Sequence, residues 1–152
     1  MRRLQGARSN DLDLAQPAIL GHPGLEITKP RDGCILRYTN FVEVMSPVFS
    51  QRALARVRDT FGESVSGWGL SALWSARLPY PEYKQAIVDK VRVTHTTPVR
   101  MGTLRPVLER LGVDPPVERE RLLARHGLSG FAPQEVARLT RVNETGPAPD
   151  AA

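Results

Sequence analysis

Apolar residues recur along this chain at helical spacing in some stretches and at strand spacing in others, with turn-forming pairs between them. From Asp11 to Ile19 (DLDLAQPAI), Leu12, Ala15 and Ile19 share one side of a short helix, whose length Pro17 limits because the residue before a proline avoids helical geometry. His22-Pro23-Gly24, Lys29-Pro30 and Asp32-Gly33 mark residues 21–33 as a connecting loop. Residues 35–49 (ILRYTNFVEVMSPVF) are rich in β-branched and aromatic side chains and predict one or two strands, broken at Ser46-Pro47. Ser50 then caps a helix over 51–61 that carries Ala53, Leu54, Val57 and Phe61 on one side and stops at Gly62. A glycine- and serine-rich turn, 63–67, leads to a second short helix with Leu70, Leu73, Trp74 and Leu78 on its apolar side.

Residues 85–94 (QAIVDKVRVT) predict a strand, with Ile87, Val91, Val93 and His95 on one parity and Lys90, Arg92 and Thr94 on the other. Beyond it the pattern is helical. Thr103 caps a helix ending at Gly112, Pro115-Pro116 opens another that runs through His126 to Gly127, and Pro133 opens a third through about Thr140. The expected organisation is a flexible arm (1–10), a mixed α/β region (11–100), a helical tail (101–140) and a disordered C-terminus (141–152). At most three or four strands are expected, without a βαβ run carrying a nucleotide site. No internal repeat is present.

Composition fits one globular domain: 152 residues, 41% hydrophobic and 24% charged. Size scaling allows about 69% of the unfolded surface to be buried. No apolar run approaches the ~18–20 residues of a membrane span, and residues 1–10 have no apolar core of a secretory signal. Cys34 is the only cysteine, which excludes an internal disulfide framework and makes a reducing cytoplasm the expected compartment. Of the 21 basic residues 18 are Arg, the better fork for phosphates and carboxylates. They are spread along the chain and interleaved with Glu118, Glu120 and Glu135, so a nucleic-acid footprint is not expected.

Catalytic motifs are sparse. Neither GxGxxG, GxxxxGK[ST] nor HExxH occurs, and Gly62-Glu-Ser64-Val-Ser66 lacks the second glycine of a nucleophile elbow and reads as a turn. His22, His95 and His126 have no metal-ligand spacing. Residues 118–126 (ERERLLARH) read as a solvated helix face with charge pairs. Two residues stand out. His95, at the end of a predicted strand, is either a buried histidine bonded to a carbonyl or a ligand group at a strand end. Trp68, in Gly67-Trp-Gly69, is either a core anchor at a tight turn or a stacking surface for a sugar or base.

Four strings in order bear on that choice: Leu14-Ala-Gln-Pro-Ala18, Leu36-Arg-Tyr-Thr-Asn-Phe-Val-Glu-Val-Met-Ser-Pro-Val-Phe-Ser50, Ser66-Gly-Trp-Gly-Leu70 and Val91-Arg-Val-Thr-His-Thr-Thr-Pro98. Together they resemble the domain-of-unknown-function 707 family, which is glycosyltransferase-like and belongs to the nucleotide-diphospho-sugar transferases. The resemblance implies the C-terminal half of a glycosyltransferase A-type sandwich with few mixed strands, incomplete because the nucleotide-binding half and its acidic DxD-type motif would precede it. Asp11-Leu-Asp13 has that spacing but is not equated with the motif. The family's cofactor would be Mn²⁺ or Mg²⁺, a Lewis acid on the departing nucleotide diphosphate.

The resemblance further implies acceptor-side roles for Trp68, Asn40 and Glu43 and a metal-linked role for His95. Ser71 takes the place of the family's Asp, and a hydroxyl is no base near neutral pH without a neighbour to activate it. Ser71 is instead expected to cap the helix that follows. The resulting expectation is a truncated or degenerate glycosyltransferase-like protein, inactive alone, whose ancestral reaction moved sugar from a nucleotide-sugar to an acceptor. The alternative is an interaction module that pairs with a second chain, or with itself, along an exposed sheet edge. Arginine-mediated nucleic-acid binding is the weaker third.

Overall fold

The computed structural model describes residues 11–22, 25–97 and 102–141. The arm expected over 1–10 and all but the first residue of the C-terminal segment 141–152 lie outside this range, as does Pro98. The fold is mixed α/β. Five strands, β1 (Leu14–Leu20), β2 (Cys34–Thr39), β3 (Val48–Phe49), β4 (Gln85–Thr94) and β5 (Glu135–Thr140), form one sheet in the order β3-β1-β4-β2-β5. Four α-helices accompany it among the described residues: α1 (Gln51–Val57), α2 (Leu70–Arg77), α3 (Leu104–Arg110) and α4 (Pro115–Arg125). β1 and β4 run parallel, and the other pairings are antiparallel.

Two elements correct the sequence reading. Residues 14–20, expected within a helix, form β1. Leu12 to Ile19 are all buried, so apolar spacing carried no facial information there. Pro17 is tolerated because the register with β4 shifts between Pro17 and Ala18, and because β3 pairs only with Leu14 and Ala15. Residues 135–140, expected as the third helix of a helical tail, form β5, which pairs along β2 from Cys34 to Thr39. Pairing with a ready edge outweighs the weak helical preference of so short a segment. Among the described residues the sheet therefore has five strands instead of three or four.

Other elements follow the sequence. The Ser50 side chain accepts from the Ala53 amide at 3.1 Å and caps α1, which tightens into a 3₁₀ turn over Arg58–Gly62. Asp114 caps α4 by accepting from the Val117 amide. On one face of the sheet, Leu14 packs with Val42, Ala53, Val57, Leu73, Leu78 and Leu122 around the fully buried Trp74. A smaller cluster of Leu12, Ala15, Leu36 and Ala86 gathers separately.

Two buried carboxylates bind these parts together. Asp13 accepts from Ser50 Oγ, Arg52 Nε and Nη2 and the Lys84 amide, joining the starts of β1, α1 and β4. Burial pushes its pKa up, but the Arg52, Lys84 and Ser50 hydrogen bonds outweigh that and hold it below the usual carboxylate range. Asp13 is thus an anchor for these three elements. Asp89 pairs with Arg37 in a two-pronged bridge at 2.8 and 3.0 Å, and both side chains are fully buried.

A candidate functional site at the ends of the parallel strands

Because β1 and β4 are parallel, their C-terminal ends meet at one border of the sheet, where open α/β sheets place ligand sites. The His95 amide donates to the Leu20 carbonyl at 2.8 Å and extends the ladder past β4. This brings the His95 ring to an edge-on contact with His22, with centroids 5.2 Å apart. Burial, then the neighbouring His95, lowers the His22 pKa. No metal-ligand spacing linked these histidines in the sequence. The signal was their position just past two parallel strands, and it was hidden because β1 read as a helix.

The loop that leaves β2 starts at the opposite border, because β2 is antiparallel to β4, and reaches the His95 border at Met45 and Ser46. Gln16, buried in β1, accepts from the Glu43 amide and thereby fixes the loop. The Glu43 carboxylate turns back to accept from the Met45 amide at 2.6 Å. Burial raises its pKa, against the opposing pull of the Met45 and Val44 amides and of His95. Met45 and Ser46 continue along the loop and, with Ile19, Val93, Thr94 and His95, line an open recess of about 160 Å³.

Trp68 reaches this loop from the other side. A Cβ added at Gly67 would lie 3.5 Å from Val44 Cγ2, so the Gly67-Trp-Gly69 turn rests against the residue between Glu43 and Met45. Trp68 is 44% exposed as a residue, which excludes the core-anchor alternative; Trp74 fills that role, with its Nε1 donating to Thr60 Oγ1. Gly69 serves packing instead of ligand approach. Its φ is +93°, and a Cβ there would meet Leu122 Cδ2 at 2.9 Å.

Glu118 of α4 sets the shape of this turn. It accepts from Ser64 Oγ, Ser66 Oγ and the amides of Val65 and Ser66. Burial alone would raise its pKa, but these bonds lower it. The solvated face expected over 118–126 is therefore corrected at Glu118, and at His126, whose Nε2 lies 2.6 Å from Glu63 Oε2. The turn expected at 62–66 is present.

The remaining candidates separate. Ser71 does not cap α2: Gly69 holds the cap position, and Ser71 is buried in the first turn, with its carbonyl accepting from Ser75 Oγ. Asn40 is engaged elsewhere. Its Nδ2 donates to the Ala132 carbonyl and its Oδ1 accepts from the Gln134 amide, which ties β2 to the approach of β5. Glu43 thus belongs to the loop that the Trp68 turn touches at Val44 and that lines a recess with His95 at Met45 and Ser46, while Asn40 joins a different junction.

The divalent metal implied by the resemblance finds no matching ligand set, since no group of three or more His, Cys, Asp or Glu side chains converges among the described residues. Asp13 is held by Arg52, and Glu43 folds onto its own loop. No helix among the described residues is long and apolar enough to cross a membrane. Comparisons with family models, with curated proteins and with solved structures return no match.

Proposed function

We propose that this chain is the acceptor-binding part of a glycosyltransferase-like protein and holds a saccharide against Trp68 and the Glu43–Ser46 loop, without catalysing transfer by itself. One observation carries the reading. Residues singled out in three separate strings of the sequence lie along or beside one loop: Glu43 is part of it, the turn that holds Trp68 touches it at Val44, and its Met45 and Ser46 line a recess with His95. An exposed indole offers its face to the C–H side of a sugar ring, and carboxyl and imidazole groups nearby suit its hydroxyls. A glycosyltransferase A-type sandwich is the finer architecture this reading carries, with the parallel β1–β4 pair at its centre.

Ser71 supports the binding-only part. The position assigned to the acceptor-side base carries a hydroxyl buried in the first turn of α2, with far less basicity than a carboxylate. No step through a metal is derived, because the described carboxylates and histidines do not assemble its ligand set.

The test uses the two tryptophans. Trp74 is fully buried and supplies a constant signal, so saturable changes in fluorescence on titration with a panel of mono- and disaccharides report Trp68. Loss of that response in Trp68→Ala is expected. A panel of nucleotide-sugars with Mn²⁺ should show no turnover, and robust turnover overturns the binding-only assignment. Absence of any saccharide response overturns the whole reading.

A second reading, pairing with another chain, rests on β5, which among the described strands pairs with β2 alone and exposes Val136 and Leu139. Light scattering that shows a monomer at every concentration, together with no capture of strand-forming peptides by β5, removes it.

A further inference from the structure

The ends of β1 and β4 bring two metal-ligating side chains together. Their ladder runs from Leu14 opposite Gln85 to Leu20 opposite Thr94, and the His95 amide carries it one step further by donating to the Leu20 carbonyl. Gly21 then turns the chain with a φ of +77°, which glycine adopts at no steric cost. A Cβ at Gly21 would lie 3.2 Å from the His95 carbonyl oxygen, so the missing side chain lets the two backbones pass this closely. His22 follows at once, and its ring meets that of His95 with centroids 5.2 Å apart and planes at 88°. Both residues are half-buried, so solvent reaches them.

That spacing has a chemical meaning. An imidazole nitrogen binds Zn²⁺ at about 2.05 Å and stands about 1.15 Å from its ring centroid, so two rings at a tetrahedral angle of about 109° have centroids about 5.2 Å apart. The separation of His22 and His95 is the same. The angle between the planes is free, because each ring can rotate about its metal–nitrogen bond. Turning either ring by about 180° about χ2 exchanges carbon for nitrogen along its edge and hardly moves its centroid, so convergence of two nitrogens needs no backbone movement.

The donor chemistry selects the ion. Imidazole suits Zn²⁺ and Cu²⁺, whereas Mg²⁺ and Mn²⁺ favour oxygen. No third His, Cys, Asp or Glu side chain converges with the pair among the described residues, so water fills the remaining positions. The Glu43 carboxylate acts on His95 electrostatically, and the recess that His95 lines has no Arg or Lys in its lining to repel a cation.

We propose that His22 and His95 form a two-histidine site for a borderline transition-metal ion, Zn²⁺ or Cu²⁺, that clasps the ends of β1 and β4. It is distinct from the oxygen-bound Mn²⁺ or Mg²⁺ of a nucleotide diphosphate and does not depend on the saccharide reading.

The experiment titrates the full chain, stripped of metal, with ZnCl₂, CuCl₂ and MgCl₂ at neutral pH, read by calorimetry and thermal unfolding. One equivalent of Zn²⁺ or Cu²⁺ is expected to bind, Cu²⁺ the more tightly, and Mg²⁺ is expected to have no effect. Zn²⁺ at a hundredfold excess over its Kd should raise Tm by about 5–10 °C. His22→Asn and His95→Asn should each weaken binding at least about tenfold, the lower bound for losing even an outer-sphere partner. His126→Asn, which changes the third histidine of the chain, should leave binding unaltered. In NMR spectra Cu²⁺ should broaden the amide signals of Gly21, His22, Thr94 and His95 first. Absence of one-to-one binding up to millimolar ion overturns the proposal. So does full affinity in either His22→Asn or His95→Asn, or broadening centred away from the ends of β1 and β4.

Discussion

Replacing Asp89 by Ala is expected to be the most damaging single change in the sheet. Asp89 accepts three hydrogen bonds, from Arg37 Nε, Arg37 Nη2 and the Arg31 amide. The Arg37 guanidinium also donates to the carbonyls of Ile27 and Lys29, at 2.8 and 2.7 Å. Removing the carboxylate leaves a cation with no exposed side-chain surface and no counter-charge. Breaking one side of such a pair costs about 3–5 kcal/mol. For a chain of this size each kcal/mol lowers Tm by roughly 2–4 °C, so the expected fall is about 6–20 °C. Urea unfolding of wild type, Asp89→Ala, Arg37→Met and the double variant gives the coupling directly. The double variant should cost less than the sum of the singles, because neither charge is then buried alone. It should still fall short of wild type, since the Ile27 and Lys29 carbonyls lose their donor. A cost under about 1 kcal/mol for Asp89→Ala, or additive singles, would refute the buried-pair account.

Three further changes probe the site's scaffold. Gly69→Ala combines a left-handed backbone with a 2.9 Å approach to Leu122, and should lower stability by about 1–3 kcal/mol in thermal unfolding; a neutral result removes Gly69 as the joint between α2 and α4. Glu118→Ala should speed hydrogen exchange at the Val65 and Ser66 amides and mobilise Trp68, whereas unchanged protection there would mean the turn holds its shape unaided. His22 titrates lower in the fold than its ordinary value of about 6.5. The unfolded chain therefore binds the proton more readily, and stability should decline as pH drops through 6.5 toward the folded pKa. His22→Asn should flatten that decline in denaturant titrations between about pH 7 and 5.5, and an unaltered slope would assign it to other groups.

How far the sequence carried depended on whether each segment's partners were local. The capping hydroxyl of Ser50, the apolar spacing of Leu70, Leu73, Trp74 and Leu78 and the Pro115-Pro116 start of α4 act within a few residues, and α1, α2 and α4 were legible from them. β1 and β5 owe their form to distant partners. β1 is buried along nearly its whole length, so neither a period of two nor one of 3.6 stood out, and β5 is exposed along most of its length and takes its shape from β2. Asp89 was a missed signal: it shares the parity of Ile87 and Val91 and, as a charge on an apolar side, implied a buried partner such as Arg37.

The site suffered from the same gap. Once β1 read as a helix, nothing placed His22 beside His95, because only the parallel β1–β4 register makes them neighbours. Asn40 illustrates the converse. It lies in the same string as Glu43, but the segment leading into β5 claims both ends of its amide, through Ala132 and Gln134, and β5 was not foreseen.

The most direct test of a saccharide site at this border is an amide-resolved NMR titration of the full chain with the mono- and disaccharide panel. Shifts confined to Val44–Ser46, the Gly67–Gly69 turn with the Trp68 indole, and His95 are the predicted result. Saturating shifts elsewhere, such as along β5, or none at any concentration, would contradict it.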